Sequence, residues 1–314
     1  MDDSIQPGLR LRDYQLIERL ALGGMAEVWR ARETSADQPV VIKMILPHLA
    51  EEPEFRQMFA AEAKLAPSLV HPNIVRCFEL GVAEGRHFIA LEFVSGRTVR
   101  QLQERLWEQH KLLPRWLVLR VALDVCLALD YAHERRDAEG RSLGIVHRDI
   151  TPENVMSDFS GVTKVLDFGV AKGSDELTPP GGSRIKGKLA YLSPEQIVVE
   201  RHIPVDRRTD VYAVGAVLYE LLTGVQPFRA ANDMALLLKI PREMPTPPSV
   251  IAPWVPSRLS AVVMKALSKS KVDRHQSAAE LSEELGACLQ LEGIDATERL
   301  VADLMKTYFG DNGR

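Results

Sequence analysis

Between Tyr14 and Phe93 apolar and polar side chains alternate in short runs, YQLIERLA, EVWRARE, PVVIKMI, VRCFELGVA and HFIALEFV, separated by turn-forming residues. A period of two, rich in β-branched and aromatic residues, marks half-buried strands and predicts an antiparallel sheet. One segment breaks the pattern. Phe55, Met58, Phe59, Glu62, Ala63 and Ala66 recur at spacings of three and four, predicting a helix over roughly 54–69 that is stopped by Pro72. Beyond Ser95 and Gly96 the period lengthens. WLVLRVALDVCLALDYAH follows Pro114, a residue suited to a first helical turn, and Asp210 to Gly224 is apolar nearly all round before Gly224 and Pro227 end it. A helix without a polar face belongs inside a lobe, and this one is too short and too interrupted to cross a bilayer. Gly173 to Gly187, rich in Gly, Pro, Ser and charge, reads as a long surface loop. At the far end Asp295 and Glu298 have capping-box spacing before a helix with Leu300, Val301, Leu304, Met305 and Tyr308 on one stripe. Packing of that stripe on the preceding helices is favoured over docking of a partner.

The pattern is α+β, a β-rich unit followed by a mainly α unit, and 314 residues suffice for two such bodies. With 46% hydrophobic and 26% charged residues, neither disorder nor a collagen-like repeat is tenable. Lys and Arg number 39 against 43 Asp and Glu, a net charge of −4 that offers no field for a nucleic acid. Cys77, Cys126 and Cys288 lie far apart without metal-ligand spacing and read as reduced thiols. The first residues show no basic start leading into an apolar stretch and no run is long enough to span a membrane, so the expected location is the cytoplasm.

The chemistry gathers in the second unit. In HRDITPEN, Asp149 precedes Asn154 by five residues, and LDFG then supplies Asp167. Two metal-binding oxygens and one further carboxylate make up a phosphoryl-transfer set, because that reaction needs positioning, neutralised oxygens and a carboxylate near the attacking hydroxyl. In motif order and spacing, the chain from about Tyr14 to Leu285 resembles a eukaryotic-like protein kinase, and most of all the bacterial Ser/Thr kinases.

The resemblance implies a bilobal protein kinase fold: an extension over 1–13, a small, mainly antiparallel β lobe with one key helix over 14–94, a larger, mainly α lobe over 95–285, and a helical extension over 286–314. It assigns Lys43 of VVIK to the α- and β-phosphates of ATP, with Glu62 as its ion-pair partner. Asp149 becomes the base or hydroxyl orienter, and Asn154 and Asp167 the ligands of Mg²⁺, for which Mn²⁺ could substitute. The nucleotide is covered by Ala21, Leu22, Gly23, Gly24, Met25 and Ala26, and its adenine is held between Val28, Val41 and Met156. Leu91 resembles the gatekeeper, with the Glu92 carbonyl and the Val94 N–H reading the base. Glu195 of SPE closes the activation segment and pairs with Arg274, and Asp210 braces the catalytic loop. Protein substrates are implied, together with self-association for phosphorylation between copies. Arg148 before Asp149 implies a phosphate on the activation segment, where Ser174, Thr178 and Ser183 are the hydroxyls at hand.

Five positions depart from the family. In ALGGMAEVW, Ala21 and Ala26 replace two of the three loop glycines, which implies weaker nucleotide binding. Val41 stands where Ala is usual and narrows the adenine slot. Thr151 stands where Ser/Thr kinases place a Lys, while Lys188 stands where they place a Thr. The two residue types look exchanged, so Lys188 is expected to restore the missing cation. The loop after Asp149 is unlike that of tyrosine kinases, which favours Ser/Thr acceptors. A P-loop reading of Gly182 to Lys188 fails because Leu189 follows where a hydroxyl is needed. A small-molecule phosphotransferase would lack the long segment ending in SPE. The remaining alternative is a pseudokinase, a nucleotide-binding scaffold with little transfer, suggested by Ala21, Ala26 and Thr151.

Overall fold

The structure is a computed structural model that describes residues 5–23, 26–46, 49, 52, 66–168, 188–198 and 204–310. The alternating runs form one antiparallel sheet of β1 (Arg10–Leu11), β2 (Tyr14–Leu22), β3 (Ala26–Glu33), β4 (Gln38–Ile45), β5 (Cys77–Ala83) and β6 (Arg86–Glu92), in the order β1-β2-β3-β4-β6-β5. The period of two decides what each face of β4 does. Val40, Ile42 and Met44 are sealed against Leu16, Trp29 and Phe88, so Val41 and Lys43 emerge on the opposite face. Register places Lys43 between Val28 and Ile89, and Val41 beside Leu91. The helix expected over 54–69 falls almost wholly on residues outside the described set; Ala66–Ser68 form a single 3₁₀ turn.

The second lobe opens with a small sheet of β7 (Gly96–Thr98), β8 (Val155–Asp158) and β9 (Thr163–Val165). Its helices are α1 (Val99–Trp107), α2 (Arg115–His133), α3 (Pro194–Ile197), α4 (Arg208–Thr223), α5 (Asp233–Lys239), α6 (Pro248–Ile251), α7 (Ser257–Ala266), α8 (Ala278–Leu291) and α9 (Glu298–Phe309). The all-round apolar segment is α4, whose residues are buried without interruption from Thr209 to Thr223. It ends at Gly224, whose φ of 75° lies in the left-handed region that glycine enters without penalty. Helices α2, α7 and α8 pack around it. The expected boundary at 285 lies inside α8, which stays continuous because Leu285 and Cys288 are both buried against the lobe. All three cysteines are free and buried. Among the described residues no helix is long and apolar enough to cross a membrane.

The last helix packs within the chain as expected but differs in its cap and in the surface it covers. Its N-cap is Thr297 rather than Asp295, because the extended backbone of Thr297 lets its hydroxyl accept from the Leu300 N–H at 3.3 Å. Its apolar face, centred on Val301, Ala302 and Met305, packs chiefly on β8 and α1, not on the helix that precedes it. Arg105 Nε donates to the Tyr308 carbonyl at 3.2 Å, and the Arg97 guanidinium lies 5.4 Å from the centre of the Phe309 ring. The close approach depends on Gly161. Its φ is +96°, and a Cβ there would stand 1.8 Å from the Glu298 carbonyl oxygen. Gly161→Ala is therefore expected to destabilise the protein by about 2–4 kcal/mol through backbone strain and overpacking. The shift of the urea midpoint is the measurement, and an unchanged midpoint contradicts the docking described.

Candidate active site

The loop that bears Asp149 is held by a single carboxylate. Asp210, on buried α4, is fully enclosed; its Oδ2 accepts from the His147 N–H at 2.8 Å and its Oδ1 from the Arg148 N–H at 2.7 Å. His133 Nε2 lies 2.8 Å from the same carboxylate. Burial pushes the Asp210 carboxyl up, but these donors outweigh it and hold it below its ordinary range. The loop needs this hold because Arg148 carries a φ of 64°, uncommon for a residue with a side chain.

His147 ties that loop to the strand end bearing Asp167. Burial lowers its basicity, so the ring stays neutral, accepting at Nδ1 from the Asp149 N–H and donating from Nε2 to the Leu166 carbonyl at 2.8 Å. The Leu166 N–H in turn donates to the Asn154 carbonyl at 2.8 Å. These links bring Asp149, Asn154 and Asp167 to one place. Asn154 Nδ2 donates to Asp149 Oδ2 at 3.0 Å and to the Asp149 carbonyl at 2.7 Å, which leaves the amide oxygen of Asn154 as its acceptor end. From the first lobe Lys43 Nζ comes within 3.0 Å of Asp167 Oδ1. Burial raises the Asp167 carboxyl, and the Lys43 ammonium overcomes that and lowers it. Asp167 also has a φ of 49°.

Lys188 Nζ reaches Asp149 Oδ2 at 3.1 Å, while Thr151 is buried and its Oγ1 has no hydrogen-bond partner among the described residues. Val28, Val41 and Met156 are half-buried on β3, β4 and β8, the last two between buried neighbours. Leu91 lines a small apolar cavity with Cys77, Phe168 and Asp167. Glu92 accepts at its side chain from Lys164 Nζ at 3.0 Å, and Val94 follows, half-buried, in the connection to β7. At the hairpin the Gly23 N–H donates to the Ala26 carbonyl at 2.7 Å. Ala21 and Leu22 are exposed at the end of β2, and the Ala26 methyl packs with Ile45, Leu49 and Cys77. Glu62, Gly24, Met25, Ser174, Thr178 and Ser183 lie outside the described residues. Asn154 and Asp167 present hard oxygen donors, the chemistry that suits Mg²⁺, an ion that keeps waters and substrate phosphates as its other ligands.

The protein kinase domain family matches residues 14–292. The chain belongs to the protein kinases. It is 38% identical to the tyrosine-protein kinase MasK of Myxococcus xanthus, over 95% of this chain and 46% of that protein. A probable serine/threonine-protein kinase, SCO3848 of Streptomyces coelicolor, is 38% identical over 92% of this chain and 42% of its own length. The serine/threonine-protein kinase PknB of Mycobacterium tuberculosis is 36% identical over 87% and 42%. The chain thus spans less than half the length of these curated relatives. Among solved structures, the kinase domain of PknI from Mycobacterium tuberculosis superposes with a TM-score of 0.69 at 26% identity, over 90% of this chain and 99% of that one.

Two further constructions belong to this kinase. Arg274, fully buried, grips Glu195 with two bonds of 2.7 and 2.8 Å, and Thr209 Oγ1 donates to the same carboxylate at 2.8 Å. The other was missed from sequence. Arg100 on α1 donates to Glu153 at 2.9 Å, to Glu220 at 2.6 Å and to the Tyr191 hydroxyl at 2.6 Å, while that hydroxyl donates to Glu220. The cluster joins α1, the catalytic loop, the end of the activation segment and α4. A signal existed: Glu220 is a charged residue in an otherwise apolar helix, and a buried charge demands a partner.

Burial alone pushes the Glu195 carboxyl up, and the guanidinium outweighs it and holds the group below its ordinary range. The pair's contribution is therefore complete above the ordinary carboxylate value and is lost as pH falls through the lowered one. Arg274→Ala, which strands a buried carboxylate, is expected to lower stability at neutral pH by about 3–5 kcal/mol, read from denaturant midpoints. A loss of under about 1 kcal/mol would refute the assigned weight of this pair.

Proposed function

We propose that this chain is an ATP-dependent protein kinase that transfers the γ-phosphoryl group to serine and threonine hydroxyls of proteins. The observation that carries the reading is the meeting of two hydrogen-bonded pairs, Asp149 with Asn154 at 3.0 Å and Lys43 with Asp167 at 3.0 Å, joined where the Leu166 N–H donates to the Asn154 carbonyl at 2.8 Å. Lys43 is the ammonium for the α- and β-phosphates, and its 3.0 Å contact with Asp167 keeps it at the mouth of the site. Asp149, steadied by Asn154, takes the acceptor hydroxyl and its proton. Asn154 and Asp167 would hold Mg²⁺, which when bound neutralises the phosphate oxygens. Val28, Val41 and Met156 form the walls for adenine, and Leu91, Glu92 and Val94 its inner edge.

Serine and threonine acceptors are supported by the loop between Asp149 and Asn154 and by the names of two of the relatives, while MasK bears the name of a tyrosine kinase. The three buried free thiols and the use of ATP suit the cytoplasm. Self-association would let one copy phosphorylate the activation segment of another.

Incubation with γ-labelled ATP, Mg²⁺ and a generic basic protein tests the reading, followed by phosphoamino-acid analysis. Label is expected on serine and threonine, and Asp149→Asn is expected to reduce turnover by about 10²–10⁴-fold, the range of a general base. Label confined to tyrosine transfers the assignment to that acceptor. Nucleotide binding without transfer at any protein residue selects the scaffold instead.

A further inference from the structure

A triphosphate brings more negative charge into the cleft than Lys43 can balance, and Lys43 is already matched to Asp167. The oxygens of the phosphoryl group in transfer are where a positioned cation acts most strongly. The catalytic loop supplies none at that point. Between Asp149 and Asn154 stand Ile150, Thr151, Pro152 and Glu153, and none is positively charged. Thr151 is turned inward, 1% exposed, and its buried hydroxyl meets no partner among the described residues.

A cation does arrive, from another part of the chain. Lys188 Nζ donates to Asp149 Oδ2 at 3.1 Å. The ammonium therefore lies against the carboxylate that would take the acceptor hydroxyl. The backbone of Lys188 is anchored: its carbonyl accepts from the Tyr191 N–H at 3.1 Å, and Leu189, Ala190 and Tyr191 are buried. Gln196 Nε2 donates to the Arg148 carbonyl at 3.0 Å, which ties this stretch to the catalytic loop. The side chain itself is half-exposed on a flexible four-carbon stem, free to swing over a short distance.

We propose that Lys188 is a catalytic residue whose ammonium moves from Asp149 onto the γ-phosphoryl oxygens when the nucleotide binds, delivering from the activation segment the charge that the catalytic loop lacks. The proposal deepens the kinase reading and rests on it. In the step it serves, the acceptor hydroxyl oxygen bonds to the γ-phosphorus and the bond from that phosphorus to the bridging oxygen of the diphosphate breaks. The hydroxyl proton passes to Asp149, ADP leaves with the electron pair, and Lys188 remains protonated throughout. Leaving Asp149 also frees that carboxylate for the hydroxyl. Because the cation rides on the segment that ends at Glu195, recognition of the γ-phosphate is coupled to the seating of that segment.

The test compares calorimetric affinities for a non-hydrolysable ATP analogue and for ADP, both with Mg²⁺, alongside turnover. It uses the full chain, Lys188→Met, Lys188→Arg, and the exchange Thr151→Lys with Lys188→Thr. Lys188→Met is expected to reduce the preference for triphosphate over diphosphate about tenfold, the size of one charge-assisted hydrogen bond, with ADP affinity unchanged. Its kcat is expected to fall about 100-fold. Lys188→Arg keeps the preference, and recovery in the exchange variant supports the same charge acting from either place. A wild-type triphosphate preference in Lys188→Met overturns the proposal whether or not turnover falls, since a loss of rate alone reports a displaced loop. A wild-type chain that transfers no phosphate brings down the kinase reading, and the binding ratio still decides on Lys188.

Discussion

The enclosed carboxylate of Asp210 is the constraint on which the site depends. A catalytic loop must hold its acid and amide at fixed positions although its own backbone is unfavourable, with Arg148 at a positive φ. Two N–H groups of that loop end on one carboxylate, and each bond to a charged acceptor contributes about 1.5–3 kcal/mol. The carboxylate in turn is immobile because α4 is buried from Thr209 to Thr223. Strain at the reacting centre is thus offset by ordinary apolar burial a helix away.

From that fixed loop the remaining groups are placed by short polar links. His147 joins the loop to Leu166, one residue before Asp167, and Asn154 joins Asp149 to the same strand end. Among the described residues of this polar set Lys43 comes from the other lobe, so the approach of the lobes brings the two halves of the set together. The charges are dealt in opposed pairs, Lys43 with Asp167 and Lys188 with Asp149, which keeps each ionised group compensated when no phosphate is present. Arg100 and Arg274 apply the same rule farther out, to the buried carboxylates of Glu220 and Glu195.

The terminal helix extends this economy to the rim of the second lobe. By packing on β8 and α1 it covers the outer side of the strand that carries Met156, and Arg97 at the start of that lobe reaches Phe309. This helix therefore backs the strand that carries Met156, which makes the extension part of the folded unit.

Local patterns were sufficient for the strands, for α2 and α4, and for the motif residues, because period, turn chemistry and motif order are properties of neighbouring residues. Lys43 could be placed on the cleft face from alternation alone, since Val40, Ile42 and Met44 had to take the core. The C-terminal stripe was legible as a helix, but its partner was not: the surfaces it covers lie far back in the chain, and any apolar groove would have satisfied the pattern. Arg100 carried no mark of its long-range role for the same reason, as Glu153, Glu220 and Tyr191 come from three other elements. Most of all, the exchange at Thr151 and Lys188 was visible as two unusual residues, while whether the ammonium meets the carboxylate depended on how two segments 39 residues apart are folded against one helix. Sequence determined which chemistry is available; tertiary packing decided which charges meet, because Coulomb attraction and hydrogen bonding act over a few ångströms and know nothing of chain order.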